Sequence, residues 1–137
     1  MTGLSSRADG TGKRLVGAPS ARPYSPALIA GPYLFLSGQV GIDKATGKVA
    51  GPTIEVQTTQ VIDNLADLLE EAGLDLNDIV KTTVFLTDIG EFAAMNEIYR
   101  SRFAQPLPTR STVEVSALAN AELKVEIEAI ALRREVS

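Results

Sequence analysis

The chain contains no cysteine and no histidine. Without cysteine there is no disulfide and no thiolate nucleophile, and without histidine no imidazole-dependent triad can be built. Zinc sites resting on either residue are excluded, and no carboxylate cluster suited to an all-oxygen metal site stands out. Proton transfer near pH 7 therefore falls to a carboxylate, a lysine, a tyrosine, a backbone group or water. No metal and no cofactor is expected. Positive charge is also scarce: 13 Lys and Arg against 17 Asp and Glu leave a net charge of −4. That balance counts against a nucleic-acid binder, because neutralising phosphates needs a basic surface. No apolar run approaches the ~20 residues of a membrane span. The opening residues, Met1 to Arg7, lack the apolar core of a secretion signal. The expectation is a cytoplasmic protein without a membrane partner.

What is present suits one globular domain. The 137 residues are 45% hydrophobic and 22% charged, enough to bury a real core. Residues 1–19 are rich in Gly, Ser, Thr and Arg without a sustained period, which predicts a flexible N-terminal tail ahead of a single domain over 20–137. Ala27 to Ala30 and Tyr33 to Val40 read as strands around a Gly31-Pro32 turn, with a loop or irregular hairpin over 41–51. From Thr53, a suitable N-cap, Ile54, Thr58, Val61, Ile62, Leu65, Leu68, Leu69 and Ala72 share one helical stripe, and Gly73 suits the position past its end. Gln57, Gln60, Asp63 and Asp67 fall off that stripe.

Ile79 to Leu86 is a third strand. Phe92, Met95, Tyr99 and Phe103 follow helical spacing in a second helix, a stripe better read as core than as a cofactor box. Two strands close the chain. The order β-β-α-β-α-β-β predicts an α+β fold, a mixed sheet with two helices on one face. Leu36, Phe85, Val113 and Val115 exceed what two helices can cover, so the other face is expected to pack against further copies.

Charge on the closing strands is the most informative feature. Arg110 leaves a Pro-containing turn, and Glu126 and Glu128 stand two apart on one strand face. An arginine and a carboxylate brought together by a sheet can hold a small anion and a water. They can equally form an ion pair, with Glu114 as a further partner for Arg110.

Six segments in order carry a resemblance: Pro23-Tyr24-Ser25, Ser37-Gly38-Gln39, Val80 to Leu86, Asn96-Glu97-Ile98-Tyr99, Arg110 to Val115 and Val125 to Ala131. Together they resemble the RidA/YjgF family of imine deaminases from about Arg22 to Arg133. The resemblance implies a chorismate-mutase-like fold and a homotrimer with a central barrel, its ligand clefts lying between subunits. It implies hydrolysis of 2-imino acids, formed from enamines such as 2-aminoacrylate that pyridoxal-phosphate enzymes release, to 2-keto acids and ammonia. By the same resemblance Arg110 binds the substrate carboxylate, for which a planar two-pronged donor is suited. Glu126 handles the attacking water, and Tyr24, Ser37, Gly38, Asn96 and Thr112 line the cleft.

The chain departs from the family pattern in places. Arg22 stands where the family usually has Gly, Pro26 where Gln is common, and Thr112 where many members have Cys. The link from Tyr99 to Arg110 is also shorter. Arg22 and Pro26 border the cleft, so these departures bear on substrate preference. Besides the deaminase, two readings stay open at this point: a non-catalytic small-carboxylate sensor or interaction protein, and an endoribonuclease or translation inhibitor.

Overall fold

A computed structural model describes residues 12–134 of the chain. Six strands form one sheet: β1 (Lys13–Val16), β2 (Ala27–Ala30), β3 (Tyr33–Val40), β6 (Ile79–Leu86), β7 (Thr109–Glu114) and β8 (Val125–Leu132), in the spatial order β1-β2-β3-β8-β6-β7. Neighbours pair antiparallel except β6 and β7, which run parallel because helix α2 (Phe92–Arg102) crosses between them. Two short strands, β4 (Ile42–Asp43) and β5 (Lys48–Val49), form a separate hairpin inside the expected loop. Helix α1 (Ile54–Glu71) starts where Thr53 Oγ1 accepts a hydrogen bond from the Val56 amide at 3.2 Å. Gly73 follows its end at φ +76°, a left-handed conformation that favours glycine. No helix among the described residues is long and apolar enough to cross a membrane.

Both helices lie on one face of the sheet, as expected. The α1 stripe, Ile54, Val61, Ile62, Leu65, Leu68 and Leu69, is buried with Met95 and Tyr99 of α2 against Leu34, Leu36, Val84, Leu86 and the alternate residues Val125, Ile127, Ala129 and Ala131. The opposite face carries Tyr33, Phe35, Val113 and Leu132 at 41%, 43%, 42% and 46% exposure. The expected surplus of apolar side chains is there, with one correction. Leu36 is only 4% exposed, because the strand alternation that puts Phe35 outward turns Leu36 toward the helices.

The N-terminal expectation also needs correction. Residues 13–16, assigned to the tail, form β1 and pair with β2 over four positions from Lys13–Ala30 to Val16–Ala27. An isolated four-residue strand has no periodicity to read. Its order comes from a long-range partner and from burial of Val16. Residues 1–11 of that stretch lie outside the described residues.

Two helix residues off the apolar stripe are nevertheless buried. Gln57 donates through Nε2 to the Gly51 and Glu122 carbonyls, both at 2.9 Å, and accepts from the Lys124 amide at 2.8 Å. Asn64 donates to the Val40 and Ile42 carbonyls. These amides satisfy loop and strand-end backbone groups that no ladder reaches. Gln57→Leu keeps the volume but orphans two carbonyls and an amide. It is expected to cost about 2–4 kcal/mol, seen as a lower urea midpoint at unchanged slope.

Candidate active site

Strand β3 is irregular where it matters. Its register to β8 moves from Leu36–Ala129 to Gln39–Ile127, so Ser37 and Gly38 form a bulge opposite a single residue, Glu128. Ser37 is pinned there: its amide donates to the Pro26 carbonyl at 2.9 Å, and its hydroxyl donates to the Ser25 carbonyl at 2.6 Å. The lone pairs of Oγ remain able to accept. At Gly38 a Cβ would overlap the Glu126 carboxylate and come within 2.8 Å of its carboxyl carbon. Glycine at this position is what lets the Glu126 side chain lie along the strand.

Glu126 alternates with the buried Val125 and Ile127, so the strand pleat puts its position on the face of β8 opposite the helices. Burial, with a smaller contribution from the charge of Glu128, pushes its carboxyl above the ordinary value of 4.5. Tyr24, in the segment leading to β2, accepts a hydrogen bond on its hydroxyl from Arg22 Nη1 at 3.1 Å. Tyr24, Ser37, Gly38 and Glu126 line one cavity of about 1060 Å³.

Arg110 is built differently. It lies on edge strand β7, paired in parallel register with the buried Thr82, so its side chain is on the helix side of the sheet. The guanidinium lies over the rings of Tyr99 at 4.7 Å and Phe92 at 5.4 Å. The Tyr99 ring is itself held, its hydroxyl 2.7 Å from that of Thr82 and its face 4.5 Å from Phe103. Burial raises the Tyr99 pKa, against smaller opposing effects of the Thr82 hydrogen bond and the Arg110 charge, so the hydroxyl stays neutral. Among the described residues Arg110 enters no ion pair, and Glu114 instead accepts from the Ile89 amide at 2.7 Å. The ion-pair alternative for Arg110 is therefore not what the structure contains. Asn96 and Arg110 share a second cavity of about 450 Å³. Thr112 is half-buried two residues further along β7, on the Arg110 face.

The seven residues singled out in the sequence thus fall into two groups. Four gather at the β3 bulge on one cavity, two sit in the other, and Thr112 lines neither. Arg110 and Glu126 occupy opposite faces of one sheet, so a single chain does not bring them together. Sequence reading missed Phe92, Tyr99 and Thr82 as the support of Arg110. Met95, Tyr99 and Phe103 are buried as expected, but Phe92 is 37% exposed and turned to the guanidinium. The available signal was Asn96 lying on the same helical face as Phe92 and Tyr99 at i, i+4 and i+7.

Comparison with known proteins bears on this arrangement. The sequence profile of the family described as Endoribonuclease L-PSP (Ribonuc_L-PSP) matches residues 16–133. The chain belongs to this family, also called YjgF/RidA. A RutC family protein of Pyrococcus horikoshii is 47% identical over 111 residues, covering 81% of this chain and 87% of the relative. The 2-iminobutanoate/2-iminopropanoate deaminase of Mus musculus is 41% identical over 117 residues, covering 85% and 86%. Among solved structures, E. coli TdcF with bound serine superposes with a TM-score of 0.80 at 32% identity, over 88% of this chain and 99% of that one. The mixed α+β architecture is that of the YjgF/RidA structures.

Proposed function

We propose that this YjgF/RidA member hydrolyses reactive 2-imino acids to 2-keto acids and ammonium, in clefts that neighbouring copies of the chain form together. The observation that carries this reading is the Arg110 guanidinium. It rests on two aromatic rings with no ion-pair partner among the described residues, a cation prepared for an external carboxylate. The deaminase named in mouse at 41% identity supports the same reaction class, and the serine bound in the E. coli relative supports a small amino-acid-like ligand.

The reaction asks little of the protein. An iminium carbon is already electrophilic, so orientation and one modest base suffice. Arg110 holds the substrate carboxylate through two parallel N–H donors. Glu126, ionised, takes a proton from a water as its oxygen bonds to the imine carbon, giving a carbinolamine. The proton returns to the nitrogen, the C–N bond breaks with its electron pair on nitrogen, and the hydroxyl proton is released as the carbonyl forms. The balance is R–C(=NH₂⁺)–COO⁻ plus water giving R–CO–COO⁻ plus NH₄⁺. Ser37 Oγ and the Tyr24 hydroxyl, in the same cavity as Glu126, bind the water or the nitrogen, Asn96 lines the Arg110 side of the cleft, and Thr112 extends it. The cytoplasm, where enamines leave pyridoxal-phosphate enzymes, suits this activity.

A shared cleft needs an oligomer. A homotrimer closing its sheets into a central barrel would cover Tyr33, Phe35, Val113 and Leu132 and set Arg110 of one copy near Glu126 of the next. Sedimentation equilibrium reads this directly, and a stable monomer that turns over substrate would sink the shared cleft. The function itself is tested by generating 2-iminopropanoate with an amino-acid oxidase acting on alanine and timing pyruvate formation. Acceleration by the protein is expected, and none at any concentration would overturn the reading. Gly38→Ala offers a second check. The atom it meets first ends a flexible side chain, so the fold is expected to lose about 1 kcal/mol or less. The displaced Glu126 lowers turnover by roughly tenfold or more, read as kcat beside an almost unchanged Tm.

A further inference from the structure

Arg22, immediately ahead of Pro23-Tyr24, lines the same cavity as Glu126, Tyr24, Ser37 and Gly38. Its backbone is tied down by a hydrogen bond from its amide to Ser20 Oγ at 3.0 Å, and Nη1 donates to the Tyr24 hydroxyl at 3.1 Å. A guanidinium has five N–H donors and no acceptor. One is used here, and Arg22 enters no ion pair among the described residues. The Tyr24 hydroxyl, having accepted from Arg22, keeps its own proton to donate. A second cation, Lys44, lines the same cavity, and among the described residues Glu71 is its only carboxylate besides Glu126. At about 1060 Å³ the cavity lies just above the ~300–1,000 Å³ range that holds drug-sized ligands.

We propose that Arg22 makes this site selective for 2-imino acids carrying a second carboxylate, the imines of aspartate and glutamate. The inference rests on the imine-hydrolysis reading. The α-carboxylate binds Arg110 of one copy, the imine carbon faces Glu126 of the next, and the distal carboxylate binds Arg22 of the copy that supplies Glu126. Arg22 does not touch the reacting atoms; it is a specificity residue. Such imines arise by oxidation of acidic amino acids, so the supplying reaction is a dehydrogenation at Cα rather than a β-elimination.

The test compares two imines made in situ by flavin oxidases, one from aspartate and one from alanine, with keto-acid formation as readout. The quantity of interest is the ratio of kcat/KM, aspartate imine over alanine imine. In Arg22→Gln this ratio is expected to fall about tenfold, mostly through KM, and Arg22→Lys is expected to recover part of it. In parallel, the thermal shift given by oxaloacetate is expected to shrink in Arg22→Gln more than that given by pyruvate. An unchanged ratio overturns the inference, and so does an equal fall for both imines, which would mean that Arg22 only orients Tyr24. If the wild type hydrolyses the alanine imine with an unaltered ratio in the variant, this inference alone fails. If it hydrolyses neither imine, the hydrolysis reading fails and takes the inference with it.

Discussion

Arg110→Ala is expected to lower kcat/KM for 2-iminopropanoate by on the order of 10²–10³-fold while the protein stays folded. Activity and stability separate because of where the residue sits. Arg110 is half-buried on edge strand β7 and touches the fold through the Tyr99 and Phe92 rings. Losing those contacts costs about 1 kcal/mol. The substrate, by contrast, loses a two-pronged, charge-assisted anchor and with it the alignment of its imine carbon. Arg110→Lys keeps the charge but not the planar fork, and is expected to recover less than about a tenth of the lost activity. Kinetics with pyruvate as product, set beside thermal unfolding, check both halves. A fully active Arg110→Ala would show that the carboxylate is held elsewhere.

The same residue offers a test of sharing between copies. Arg110 and Glu126 lie on opposite faces of one sheet, so the proposed shared cleft requires that two inactive variants, each lacking one of them, complement when mixed in one oligomer. Co-expressed Arg110→Ala and Glu126→Ala chains are expected to regain part of the wild-type rate. Separately purified variants combined without exchange are expected to stay inactive. A site contained within one chain cannot be rebuilt by such mixing.

Local signals in the sequence carried most of the fold. The α1 stripe, its Thr53 cap and the Gly73 stop are set by neighbours three or four residues away, and each stands as read. What escaped depends on distant partners. Strand β1 exists because β2 pairs with it, and Gln57 is buried because three loop and strand-end groups converge on it. Leu36 and Phe35 are equally apolar, and only the pleat decides that one faces the helices. The candidate site residues could be named from the sequence, but their arrangement could not. Arg110 and Glu126 could be picked out by residue type and family pattern, yet nothing in their spacing says that they occupy opposite faces. That follows from the pairing of β7 with β6 and of β6 with β8, a register no single segment encodes. The two rings under Arg110 were read as core for a sound reason, helical periodicity, which marks a packed face without saying whether its partner is another apolar residue or a cation.

Glu126→Gln is expected to lower kcat by about 10²–10⁴-fold, and its wild-type counterpart to imprint a recognisable pH dependence. In the proposed reaction the working form of Glu126 is the ionised carboxylate. Burial, and secondarily Glu128, push the Glu126 pKa above its ordinary value of 4.5, so the acid limb of kcat/KM is expected at a pH above that value. Glu128→Gln removes the smaller of the two causes and is expected to move the limb toward lower pH without abolishing turnover. Stability runs in the opposite direction. Because the folded chain holds the Glu126 proton more tightly than the unfolded chain, the contribution is fully present below 4.5 and is lost as pH rises through the folded value. Glu126→Gln, uncharged throughout, removes this slope and is expected to be somewhat more stable than wild type at neutral pH while nearly inactive. That pairing identifies a group kept for chemistry at the expense of stability. A variant both unstable and inactive would instead make Glu126 a structural residue, and the water would need another base.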